Sequence, residues 1–298
     1  MTDSNILFER AIMTLPQWRC NSQGDAGAVT SSLEQGMILF LPDLTFPVAS
    51  QEMRLLDPAL VEAGRKNISY QPRSGKVSGV IQAAQQLPFQ QLLERYYQFC
   101  YQLVAGVLPE YRNALHHPTC SLRLHPVLAW RTSNSWRKDD TRLHVDAFPS
   151  RPTYGERILR IFTNINPHGE NRQWRVGEPF PQLVQRFIPR LSRYSPLRSW
   201  FLHHLYITKT HRSHYDHLML QLHDTMKADE EYQQQGPQLT LAFPPGSSWI
   251  CFSDQTPHAA MTGQFMLEQT FLLPVNSMKV PENAPLKILE KLYGQPLL

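Results

Sequence analysis

The chain is organised around Leu143-His144-Val145-Asp146-Ala147-Phe148-Pro149, which has to be read with a second stretch far downstream, Asp254-Gln255-Thr256-Pro257-His258. On an extended strand, side chains two apart leave from the same face, so His144 and Asp146 can converge on one point. His258, arriving from a separate strand, completes two imidazoles and one carboxylate on one side of a metal ion and leaves the opposite coordination positions open. The flanking pattern supports this placement. Residues 142–146 alternate like a strand and stop at Ala147-Phe148-Pro149-Ser150-Arg151-Pro152, while residues 247–253 read as a strand entering the turn that carries His258. Both ligand groups therefore fall at strand ends, where the mouth of a barrel lies.

Two histidines and one carboxylate with open sites opposite form the donor set of non-haem Fe(II) oxygenases, whose open positions take a bidentate cosubstrate and dioxygen. In a chain with twelve histidines, a His-x-Asp pair also arises as an ordinary strand pair, so the third ligand decides. Composition is that of an ordinary soluble globular protein: 298 residues, 42% hydrophobic and 18% charged, enough for a substantial core in two domains or in one elaborated β domain. The amino terminus carries Asp3 and Glu9 and no basic-then-apolar segment, so no signal peptide is expected. No apolar run approaches the roughly 18 residues of a membrane span. Cys20, Cys100, Cys120 and Cys251 form no CxxC pair, which disfavours a disulfide framework or a zinc knuckle and suits a reducing cytoplasm.

Taken in order, residues 20–36 show neither helical nor strand periodicity and read as loop. Residues 37–41 are a buried strand, 52–64 a short helix, and 65–76 a basic, turn-rich loop. Apolar residues at three- and four-residue steps over 88–107 give the clearest amphipathic helix, set against the outside of a sheet. Strands follow at 119–127 and 129–131. Over 157–166, alternation places Leu159, Ile161, Thr163 and Ile165 on one face and Ile158, Arg160, Phe162 and Asn164 on the other. A charge and an amide in mid-strand are costly to bury unless they line a polar pocket. A structural salt bridge is the alternative for Arg160. Strands at 239–243, 247–253 and 264–273 and a helix at 286–292 finish the chain.

Residues 166–212 carry eight basic side chains, Arg172, Arg175, Arg186, Arg190, Arg193, Arg198, Lys209 and Arg212, against Glu170 and Glu178. That surplus of six exceeds the whole chain's +4. Interleaved aromatics suit the segment to phosphates beside something apolar, such as an anionic membrane surface. A solvated basic insertion is the plainer reading. Six histidines over 203–223 leave a second metal site open, although no HExxH arrangement supports one.

These features together resemble the Fe(II)- and 2-oxoglutarate-dependent dioxygenases: α+β, mainly β, with a double-stranded β-helix (jelly-roll, cupin-like) core. More narrowly, residues 142–149, the strand Glu156-Arg-Ile-Leu-Arg-Ile-Phe-Thr-Asn-Ile-Asn-Pro167 and Trp174-Arg-Val-Gly-Glu-Pro-Phe180 are similar to the Kdo hydroxylase family over most of the chain. The resemblance implies one dioxygenase domain over 1–298. Its parts are an N-terminal support at 1–118, ligand-bearing jelly-roll strands at 119–165 and 238–274, a basic insertion at 166–237 and a tail at 275–298. It also implies Fe(II) held by His144, Asp146 and His258, with 2-oxoglutarate and O2 as cosubstrates. The implied reaction is hydroxylation at C3 of the Kdo sugar in a lipid A precursor, on the cytoplasmic face of the inner membrane. Arg172, Trp174 and Arg175 are read as substrate contacts. Nucleic acid is not among the expected partners, and a homodimer is compatible with the chain.

Many dioxygenases place a basic residue about ten positions after the distal histidine, to hold the far carboxylate of 2-oxoglutarate. Here that strand reads Gln264-Phe-Met-Leu-Glu268-Gln269-Thr270, without a base. Arg160 takes that role in this reading, with Asn164 beside it and Arg123 and Arg131 in reserve. Two rivals remain: a hydroxylase of nucleic acid or protein, and a cupin-like protein that binds sugar without oxidising it.

Overall fold

The computed structural model describes residues 11–15, 26–130, 135–149, 151–194 and 211–298. Eleven strands occur among them: β1 (Ile12–Thr14), β2 (Ile38–Leu41), β3 (Ile68–Gln71), β4 (Lys76–Ser78), β5 (His116–Arg123), β6 (Arg157–Asn164), β7 (Arg172–Gly177), β8 (Gln238–Phe243), β9 (Ser248–Phe252), β10 (His258–Thr262) and β11 (Met266–Leu273). Eight form a sheet in the order β1-β2-β9-β6-β11-β5-β3-β4, and three form a smaller sheet, β10-β7-β8. Six helices accompany them: α1 (Ala26–Glu34), α2 (Gln86–Val107), α3 (Phe180–Phe187), α4 (His214–Ala228), α5 (Glu230–Gln235) and α6 (Pro285–Tyr293).

The period-2 pattern of β6 divides two cores. Leu159 and Ile161 pack with Phe89, Leu92, Leu93 and Tyr96 of α2, and the Tyr96 hydroxyl lies 3.2 Å from Thr163 Oγ1. Phe162, on the opposite face, packs with Trp174 and Val176 of β7, Cys251 of β9, Ala260 of β10 and Met266 of β11. The second core fills the space between the sheets, as in a jelly roll, and the facing of β6 is the one its alternation predicts.

Several elements differ from their sequence reading. The helix expected over 52–64 is two single turns, Ser50–Leu55 and Pro58–Leu60. Pro58 removes an N–H and Asp57 accepts from Ala59 N at 2.9 Å, so the chain restarts there. The basic loop 65–76 contains the β3–β4 hairpin, turning through Gly75 at φ 67°. Residues 26–34, read as loop, form α1. Its own pattern is weak, and its buried Glu34 is fixed from outside, by the Tyr111 hydroxyl at 2.5 Å and the backbone N–H groups of Lys279 and Val280 at 2.6 and 2.8 Å. The segment 166–237 is not wholly an insertion, because β7 within it is the central strand of the smaller sheet. Arg131 and Cys20 lie outside the described residues, as do Arg198, His203, His204 and Lys209.

Candidate active site

The stretch expected as a strand over 142–146 pairs through a single bridge to the start of β10. His144 N donates to His258 O at 3.1 Å, His258 N donates to His144 O at 2.9 Å, and Asp146 N donates to Ser253 O at 2.8 Å. Extended backbone and this bridge suffice to bring the three side chains together. Ligand atoms of His144, Asp146 and His258 lie within 4.8 Å of one another, and no other such group occurs among the described residues. Among the described residues, the histidines of 211–223 belong to no other such group.

Each imidazole is oriented by its own backbone. His144 Nδ1 is 2.7 Å from the carbonyl of Arg142, and His258 Nδ1 is 2.9 Å from that of Thr256. A carbonyl only accepts, so Nδ1 carries the proton in both rings and Nε2 presents its lone pair. Burial holds both imidazoles below their usual range; for His144 the Lys227 ammonium adds to this, while for His258 the Asp146 carboxylate opposes it. Burial pushes the Asp146 carboxyl upward, but the Arg160 guanidinium, the two neighbouring imidazoles and a hydrogen bond from Ser253 together outweigh it and hold the group well below the usual carboxylate range. Neutral rings and an ionised carboxylate are the forms a metal needs. Asp146 Oδ2 accepts from Arg160 Nη1 at 2.8 Å, while Oδ1 sits 3.7 Å from His144 Nε2. The indole of Trp174 stacks on His258 at 5.0 Å.

A cavity of about 100 Å³ opens beside the triad, lined also by Arg123, Arg160, Arg172, Trp174, Asp140 and Glu268. An ion-pair chain runs through its wall. From Asp146 it passes to Arg160 (2.8 Å), Glu268 (2.6 Å), Arg123 (2.7 Å), Asp140 (3.1 Å) and Lys66 (2.8 Å). Burial would raise Glu268, but Arg123 and Arg160 hold it below its usual range. Arg172, 4% exposed, has no carboxylate partner. Its Nη1 donates to Gly263 O at 3.1 Å, and burial pulls it down to about 10, with Arg123 adding repulsion.

Of the residues read from sequence as binding the cosubstrate, Arg160 and Arg123 line the cavity, yet both spend hydrogen bonds on built-in carboxylates. Asn164 stands at the far end of β6, where its amide donates to the carbonyls of Glu170 and Phe243, each at 3.0 Å; it pins a loop. Of the residues read as substrate contacts, Arg172 and Trp174 face the cavity. Arg175 points away, donating to Thr141 O at 2.7 Å and Gln233 O at 2.8 Å, because alternation along β7 puts it opposite its neighbours. Glu268, Asp140 and Lys66 were not singled out. A carboxylate in mid-strand between Leu267 and Gln269 was the signal available for Glu268, since such a charge needs cations from adjacent strands.

The chemistry of the wall fits an acceptor-rich anion next to a divalent metal. Three buried donors there have no hydrogen-bond partner: Arg160 Nε, Arg172 Nε and Trp174 Nε1. Orphaned donors of this kind cost free energy unless a ligand accepts from them.

Comparison with known proteins agrees with this chemistry. The family model described as 3-deoxy-D-manno-oct-2-ulosonic acid (Kdo) hydroxylase matches residues 17–296. The chain is similar to a crystal structure of the Kdo hydroxylase KdoO, a non-haem Fe(II) α-ketoglutarate dependent dioxygenase, in complex with cobalt(II), at 44% identity and TM-score 0.91 over 96% of this chain and 97% of that one. The complex of KdoO with α-ketoglutarate and Fe(III) gives 43% identity and TM-score 0.90, with the same shares covered. The complex with succinate and Fe(III) gives 43% and 0.90, again over 96% and 97%. No curated protein matches.

Proposed function

The chain belongs to the Kdo hydroxylase family, and from that premise we propose which of its residues run an Fe(II)- and 2-oxoglutarate-dependent hydroxylation of Kdo. The ligands are Nε2 of His144, Nε2 of His258 and Oδ1 of Asp146. Bound there, Fe(II) with 2-oxoglutarate and dioxygen supplies the oxidising chemistry, releasing succinate and carbon dioxide as one oxygen atom enters the sugar. Everything else falls to the chain's own groups.

Arg160 is a positioning residue. It holds Oδ2 of Asp146, so the carboxylate offers one oxygen to the metal and keeps its orientation. The distal carboxylate of 2-oxoglutarate goes to Arg172, with the Trp174 indole N–H beside it. This moves the assignment from Arg160, whose two Nη atoms are taken by Asp146 and Glu268. The observation that carries the reading is the pairing of a three-ligand cluster with a buried guanidinium whose Nε is unsatisfied and which has no carboxylate partner among the described residues, in one small cavity. The two apolar cores on either side keep water from the reacting carbon.

The substrate in this reading is Kdo in a lipid A precursor, hydroxylated at C3. No helix among the described residues is long and apolar enough to cross a membrane, so contact with a cytoplasmic membrane face would be peripheral. Part of the basic segment is already engaged: Arg172 and Arg175 are internal, Arg186 pairs with Glu178 at 2.7 Å and Arg190 pairs with Asp229.

Succinate formation measured against added Fe(II) and Kdo-bearing lipid A precursor tests the function. Both dependences are expected, and His144→Ala, Asp146→Ala and His258→Ala should each abolish turnover and weaken Co(II) binding while the fold persists. A variant with normal Co(II) affinity and turnover removes that residue from the ligand set. Turnover with an oligonucleotide or peptide, and none with the lipid, sinks the substrate assignment.

A further inference from the structure

Two anions must share this centre, and among the described residues the cavity wall has a cation without a carboxylate partner for only one of them. Arg123 and Arg160 are balanced by Asp140, Asp146 and Glu268, which leaves Arg172 for the cosubstrate. The sugar is itself an acid. If C3 is the carbon oxidised, the carboxylate carbon lies two bonds away, roughly 2.5 Å by standard bond geometry. It is therefore desolvated together with the reacting carbon and needs a cation beside the metal but outside the cosubstrate cavity.

Helix α4 supplies one. His223 and Lys227 are four residues apart and share a face. The His223 ring meets the His144 ring edge-on at 5.2 Å, with Nδ1 held by Asp224 Oδ1 at 3.0 Å, so that face of α4 abuts the metal site. Lys227 is 1% exposed. Its Nζ donates to the carbonyl of Arg137 at 2.8 Å, in the turn that leads into Asp140 of the cavity wall. An ammonium has three donors, and among the described residues no carboxylate lies within 4.0 Å of this one, Asp140, Asp139 and Asp146 acting on it only from farther away. A buried ammonium with a single carbonyl partner is costly to maintain and is unnecessary for capping a helix.

Resting on the function proposed above, we infer that Lys227 anchors the carboxylate of the sugar acid on the α4 side of His144. Lys227 is in this reading a specificity-determining residue: it selects an acid over its neutral analogue and sets the sugar's orientation over the metal.

The test is equilibrium binding, by calorimetry, of the methyl glycoside of Kdo and of its methyl ester to protein loaded with Co(II) and 2-oxoglutarate, which does not turn over. Wild-type protein should prefer the acid by about tenfold to a hundredfold, the scale of a hydrogen bond to a charged group. Lys227→Met keeps the length of the stem and removes the charge. It should bind acid and ester alike, losing affinity for the acid alone, and Lys227→Arg should recover part of the preference. A wild-type protein that does not distinguish acid from ester overturns the inference without any variant. A Lys227→Met protein that folds and keeps the full preference overturns it as well. Failure of the functional reading looks different: the wild-type enzyme then shows no Kdo-dependent succinate release. Normal release with an unaltered preference in Lys227→Met removes only the anchor.

Discussion

Replacing Arg172 with alanine separates the two arginine roles. In the ligand-free protein this guanidinium is buried without a carboxylate partner among the described residues, and burial pulls it down to about 10, a cost that the folded protein bears until an anion arrives. Arg172→Ala should therefore fold and be at least as stable as wild type, its melting temperature unchanged or raised. With 2-oxoglutarate the balance reverses, because the distal carboxylate then has no partner. Breaking a buried charge pair from one side costs about 3 to 5 kcal/mol, a loss of affinity of about a hundredfold to a few thousandfold. The half-saturating concentration of 2-oxoglutarate, read from succinate formation and from calorimetry with Co(II)-loaded protein, should rise by that factor. Co(II) affinity itself should not move, since none of the three ligands touches Arg172. Arg172→Lys should rescue in part, keeping the charge but losing the planar fork. Arg160→Ala should show the opposite pattern, with weakened Co(II) binding because Asp146 loses the group that orients it. If Arg172→Ala leaves the 2-oxoglutarate requirement within a few-fold of wild type while Arg160→Ala or Arg123→Ala shifts it by orders of magnitude, the distal carboxylate displaces a built-in salt bridge and the reasoning fails.

Burial lowers Lys227 from 10.5 to about 8. The unfolded chain thus keeps a proton that the folded chain releases, and stability rises with pH between about 8 and 10.5. In denaturant titrations of ligand-free protein, Lys227→Met should exceed wild type in stability near pH 7, with the gap closing toward pH 10.5; a gap that does not depend on pH contradicts the burial argument. Peripheral membrane contact predicts that binding to anionic vesicles weakens steeply from low to high salt, each basic side chain near the surface contributing on the order of 1 kcal/mol. Salt-independent binding, or none, removes that contact from the account.

The metal ligands were legible because their information is local. His144 and Asp146 need only an extended backbone, and His258 only a turn after a strand, so the residues converge even though 142–146 makes a single bridge and not a regular strand. The facing of β6 was legible for the same reason. What alternation cannot show is the neighbour across the sheet. β11 lies between β5 and β6, and only that register reveals that Glu268 draws Arg123 from one side and Arg160 from the other. Arg160 lines the cavity as read, but its salt bridge to Glu268 could not be foreseen, because that partner lies 108 positions away. Helix α1 and the strand β7 were missed on similar grounds: Glu34 is fixed by Tyr111 and by residues 279–280, and β7 sits in a basic stretch whose charge masked its alternation.

The absent base on β11 follows from the same arrangement. At His258 plus ten the chain carries Glu268, an acid where many dioxygenases carry a base. A buried acid there requires cations from the flanking strands, which places Arg123 and Arg160 in the wall of the cavity and commits them to it. A dicarboxylate entering such a wall would have to break those pairs, at the cost of leaving Glu268, 2% exposed, with an unpaired charge. In the proposed reading the cosubstrate's own cation comes from the opposite sheet, where β7 presents Arg172 with no carboxylate partner among the described residues. With the charge reversed on one strand, the proposed anchor moves to another sheet, and Arg172→Ala against Arg160→Ala decides between the two positions.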